Sequence, residues 1–213
     1  DLMSYKEEGY LPEAVLNMLA KLGWSNTEKD IFTTDDLIKI FDVSDIQRSG
    51  AVFDKERLNF INQNHMAMKT DDELMDLLKI FNEKNGFSLS DHHDPERLVR
   101  LCVGSGNNFS EISNFIKPFV IDFDEYDKAD FDKHLLESES VLNYFKESIH
   151  SISDWDEAIF EEIINSAMKD LSLPMPKIGL PLRVALLGRA KSPPLSSTIY
   201  LIEKNKTIER LDK

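Results

Sequence analysis

The sequence predicts a mostly α fold. Helix-start signals recur along the chain, apolar residues return at helical spacing, and long alternating strand patterns are scarce. Short strands are expected only near 120–123 and 198–202. The first helix falls within 11–24. Val15, Met18, Leu19 and Leu22 share one face, Pro12 suits the first helical position, and Gly23 suits the stop. Thr34 is expected to cap the next helix, which runs to Phe41 with Asp35 and Asp36 at its positive end. Asp54 caps a third, carrying Leu58, Ile61 and, at its edge, His65. Thr70 and Glu73 have capping-box spacing, and Leu74, Leu77, Leu78 and Phe81 follow on one face. Asp94 and Pro95 open a helix with Leu98, Leu101 and Cys102. Residues 153–156 open a long one through Leu171, with Ile159, Ile163 and Ala167 in a stripe. Two stretches read as joints: 103–108, a flexible connector, and 171–180, with Pro174, Pro176 and Gly179.

Composition narrows the function classes. At 213 residues and 41% hydrophobic, the chain can bury a core, which excludes wholesale disorder. No run approaches the ~20 apolar residues of a membrane span. The first residues lack the basic and apolar regions of a signal peptide, so none is expected. Cys102 is the single cysteine and cannot form an internal disulfide. Together these favour a cytoplasmic location. Net charge is −14, but unevenly spread. Residues 1–170 carry 17 basic and 36 acidic side chains, whereas 171–213 carry eight basic and three acidic. Residues 121–162 alone hold 14 acidic and three basic. A nucleic-acid partner is disfavoured by the sum and reopened by the asymmetry, because binding responds to the local field.

Candidate chemistry is sparse. His92-His93-Asp94 lacks further ligands at metal spacing and reads as a solvated loop before an Asp cap. Cys102, on an apolar face, reads as core. Gly104-Ser105-Gly106 lacks the lysine of a phosphate loop and reads as a hinge. The acidic run has no calcium-loop spacing and reads as a solvated helical face. No catalytic residue, metal site or cofactor is expected in this chain. The C-terminal part differs. Arg183 stands inside an apolar helical run, 181–187, which Gly188 ends; Lys191-Ser192-Pro193-Pro194-Leu195 then forms a rigid turn. An arginine fork suits a base edge or phosphate, and a Pro/Leu surface can pack on an unstacked base. Equally, Arg183 can pair with a carboxylate, leaving the turn as merely a turn.

Residues 5–17, then Leu19-Ala20 and Leu22-Gly23-Trp24, resemble the segment after the KMSKS-type loop of bacterial glutamyl-tRNA synthetases. The likeness continues through Ile31-Phe32-Thr33, residues 51–58 and Asn62, and returns in residues 181–186 and the Gly188, Pro193, Leu195 turn. It implies a helical stem-contact segment at 1–66, followed by an anticodon-binding architecture of two helical lobes, 67–122 and 123–213. It implies tRNA as partner, with no membrane and a monomeric state. The parent enzyme would join glutamate to tRNA using ATP and magnesium. This chain contains neither class I signature motif and should be inactive alone.

The resemblance also places residues. Arg183, Ser192, Pro193 and Leu195 fall where similar enzymes read the first two anticodon bases. Arg48, Lys55 and Arg57 lie in the stem-contact segment. Phe60 and His65 stand where relatives often have Trp and Tyr. Asn108 aligns with an Arg that reads the third base in some relatives. A short neutral side chain there would let glutamine tRNA be charged as well as glutamate tRNA. On charge alone, Lys204 and Lys206 are expected to touch phosphate, with acidic surfaces turned away from RNA. The rival reading is a helical protein–protein adaptor that docks a basic partner on its acidic face.

Overall fold

Among the described residues the chain forms thirteen α-helices and two short 3-10 turns, and no strand. The structure, a computed structural model, describes residues 2–23, 29–40, 42–46, 53–123 and 125–213. These fall into two compact units, Asp1–Ser88 with Gly106–Asn114 and Leu89–Ser105 with Phe115–Lys213.

The first unit holds α1 (Leu2–Glu7), α2 (Pro12–Gly23), α3 (Thr34–Ile40), α4 (Lys55–Ala67), α5 (Asp71–Lys84) and the first half of α7 (Phe109–Val120). Helix α2 packs on α4, and Ala14 and Met18 of α2, Leu58 and Ile61 of α4 and Leu11 just before α2 are all buried. Two buried asparagines organise this core. Asn62 accepts from the Leu11 amide at 2.9 Å and donates to the Asn107 carbonyl at 2.7 Å. The Oδ1 of Asn17 accepts from the Phe32 amide at 2.8 Å and meets His65 Nε2 at 3.1 Å. A buried amide costs little when its hydrogen bonds are made. His65 is thus core, not the helix edge expected for it. Asp54 accepts from the Glu56 amide at 2.9 Å to cap α4, and Thr70 and Glu73 form a reciprocal capping box on α5. The cap of α3 is Thr33 and not Thr34. The Asp36 amide donates to Thr33 Oγ1, and the Thr33 amide donates to Asp36 Oδ2, each at 3.1 Å.

The second unit holds α6 (Pro95–Val103), the end of α7, α8 (Lys128–His134), α9 (Glu139–Ser151), α10 (Glu157–Asp170), α11 (Met175–Leu187), α12 (Leu195–Ile202) and α13 (Lys204–Asp212). Its core gathers Phe145, Phe160, Leu182, Val184, Leu186 and Ile199. Three expectations change here. Residues 121–123 form no strand, and 198–202 lie in α12. The joint expected over 171–180 is short, because Met175 already begins α11. Pro176 sits in the first turn, where the missing N–H had no partner to lose. His92 is 7% exposed and not solvated. Its Nδ1 accepts from the Asp94 amide at 3.0 Å and its Nε2 lies 3.0 Å from the Leu201 carbonyl, which defines a neutral ring protonated at Nε2. Burial holds His92 below the usual histidine pKa. Asp94 caps α6 as expected, and Cys102 is buried.

Candidate nucleic-acid interface

Helix α11 is apolar for most of its length. Ile178, Leu182, Val184, Ala185, Leu186 and Leu187 are all buried. A Cβ on Gly179 would stand 3.1 Å from the Met175 methyl, and at 3.9 Å only in ordinary contact with Leu195. Arg183 is the one charged side chain on the last two turns of this helix, and it is half-buried. Its Nε is buried with no hydrogen-bond partner. No carboxylate among the described residues pairs with it, so the ion-pair reading of Arg183 fails. Burial alone pushes the guanidinium below its ordinary pKa, and an arginine still keeps its charge. The buried Nε cannot itself meet an acceptor from outside, whereas the part of the guanidinium that stays exposed keeps its charge and can.

The turn after α11 is fixed by its backbone. Gly188 adopts φ +75°, and its amide donates to the Val184 carbonyl at 2.8 Å to end the helix. The Asp127 amide donates to the Gly188 carbonyl at 2.8 Å, and the Ala190 amide donates to Asp130 Oδ2 at 2.7 Å. Part of the acidic stretch thus braces the basic turn, through the Asp127 amide and the Asp130 carboxylate. Ser192 is half-buried and its Oγ donates to the Pro193 carbonyl at 3.0 Å. Pro193 and Leu195 are buried, and Leu195 is 3% exposed. The apolar surface expected of those two residues is spent on the core. Lys191 and Pro194 are the exposed members of the turn.

The other expected contacts divide similarly. Lys204 donates to the Ile152 carbonyl at 2.8 Å, and Lys206 lies 3.6 Å from Asp122. Both ammoniums serve the fold before any phosphate. Lys55 pairs with Glu8 at 2.7 Å and Arg57 with Asp30 at 2.5 Å, both on the surface, where such pairs are readily exchanged. Arg48 lies outside the described residues. Asn108 is 5% exposed, and its Oδ1 accepts from the Glu111 amide at 2.9 Å in the first turn of α7. It is a helix cap and presents no cation.

One feature escaped the sequence. A cleft of about 770 Å³ opens beside Gly188, lined by Arg189 and Lys117, by Asp122, Glu125 and Asp127, and by Phe123, Ile121 and Leu187 as apolar wall. Arg189 follows the helix stop, and only its charge was legible.

Residues 39–213 match the family model described as "Anticodon binding domain". The chain belongs to the anticodon-binding domain family. Residues 1–60 of this family member also match the model "tRNA synthetases class I (E and Q), catalytic domain". Two solved structures resemble it over 98% of its length. A glutamate tRNA ligase from Elizabethkingia meningosepticum, in complex with its amino acid, is 30% identical with a TM-score of 0.78. Glutamate-tRNA synthetase from Elizabethkingia anophelis is 30% identical with a TM-score of 0.76. This anticodon-binding chain spans 41% of the length of each.

Proposed function

We propose that this chain is the tRNA-binding portion of a glutamate–tRNA ligase and that it recognises the anticodon, its second unit reading the first two bases. The observation that carries the proposal is Arg183, a half-buried guanidinium with no carboxylate partner among the described residues, beside a turn whose backbone is fixed. Phosphate contacts would set the register, while Arg183 and the 188–194 turn would select bases. The division into a stem-contact segment, 1–66, and two lobes, 67–122 and 123–213, is part of this proposal, as are a monomeric state and a cytoplasmic setting. Gel-shift titration of glutamate tRNA across salt concentrations tests it. Binding should weaken steeply with salt and should prefer the glutamate anticodon. Equal binding to all tRNAs would favour a protein–protein adaptor.

The proposed binding function draws on neither ATP nor magnesium, which belong to the reaction of the parent ligase.

Asn108 supports a further part of the proposal. A capping amide in place of an arginine removes one means of rejecting a different third base. The intact ligase is then expected to charge glutamine tRNA as well. Charging of that tRNA about a thousandfold slower than of glutamate tRNA would contradict this.

A further inference from the structure

Arg210 is 3% exposed and sits where two helices end. Its Nη1 donates to the Leu186 carbonyl of α11 at 2.7 Å. Its Nη2 donates to the Pro118 carbonyl of α7 at 2.6 Å and to Asp122 Oδ1 at 3.1 Å. Both carbonyls lie in the last turns of their helices, which lack in-helix donors and carry the negative end of the helix dipole. One planar fork satisfies both, and a point-like ammonium could not. The guanidinium also lies 5.0 Å from the centre of the Phe123 ring. A Cβ on Gly188 would come within 3.1 Å of that ring. Arg210 thus holds the end of α11, the end of α7 and the aromatic wall of the 770 Å³ cleft in one register. Asp122 is held well below the usual carboxylate range by Arg210, so a charge at the cleft edge is neutralised from beneath.

We infer that Arg210 is a positioning residue for anticodon selection: it sets the height of Arg183 and the 188–194 turn from inside the fold, without touching RNA. The inference rests on the proposed anticodon reading. Its test measures binding of glutamate tRNA and of the same tRNA with a substituted anticodon, for the wild-type chain and for Arg210→Lys. Lysine keeps the charge but cannot span the Leu186 and Pro118 carbonyls. The ratio of the two affinities should fall about tenfold, a loss of about 1.4 kcal/mol in selectivity, while affinity for the substituted tRNA and the salt slope stay unchanged. A uniform loss with both tRNAs, or an unchanged ratio, would overturn the inference. If Arg210→Lys does not fold by circular dichroism, Asp122→Ala takes its place. It leaves both carbonyl contacts but frees the fork from its third partner, and the ratio should fall about threefold; an unchanged ratio there overturns the inference equally. A wild-type chain with no anticodon preference would remove the functional reading itself, and the inference with it.

Discussion

The amide of Asp127 donates to the carbonyl of Gly188 at 2.8 Å and so ties the approach to α8 to the end of α11. With Asp130 holding the Ala190 amide, the most acidic stretch of the chain braces its most distinctive basic turn. Charge along the sequence suggested two regions of opposite purpose. In the fold the two regions meet, through the Asp127 amide and the Asp130 carboxylate.

Replacing Gly188 tests that brace. A left-handed residue with a side chain is strained, and the new Cβ would crowd Phe123. Gly188→Ala should lose about 1–2 kcal/mol in urea denaturation. An unchanged midpoint would show that the turn is loosely held.

Arg183→Ala should separate binding from folding. Anticodon preference should weaken by roughly 1–3 kcal/mol, the range for a directed base contact. Thermal stability should change little, because the side chain gives up no ion pair and its Nε has no partner. Loss of stability with preserved preference would reverse the assignment.

The lysines of α13 and the arginine at the cleft should behave differently. Lys204→Ala removes a hydrogen bond to the Ile152 carbonyl and should cost about 1 kcal/mol of stability, with the salt slope of tRNA binding unmoved. Arg189→Ala should flatten that slope by about one unit. Lys204→Ala flattening the slope by the same amount would restore it as a phosphate contact.

Low pH should destabilise the fold in a defined window. Burial lowers the pKa of His65 and His92 below their ordinary value of 6.5. Above that pH both states are neutral and stability is full. As pH falls through it, the unfolded chain takes up protons that the folded chain refuses, so stability declines. Thermal midpoints should fall between about pH 7 and 5, and His92→Gln should fall less steeply. Identical slopes would show that His92 does not carry the effect.

What was legible was local. Asp54, Thr70 and Asp94 announce their helices because a cap acts across three residues. Thr33 and Thr34 could not be told apart, since both are threonines and the deciding partner is Asp36. Pro176 and Gly179 read as breakers, yet one sits in the first turn of α11 and the other within it, against Met175. Arg183 was legible as a lone charge in an apolar helix. The burial of Pro193 and Leu195 was not, because the side a turn presents is set by the helices beneath it. Nor was Lys204, whose partner lies 52 residues away.

The most direct test of the account transplants the glutamate anticodon into an unrelated tRNA and measures equilibrium binding to this chain before and after. The account predicts a gain of about tenfold or more, abolished by Arg183→Ala. No gain, with binding that follows only tRNA charge and salt, would contradict it.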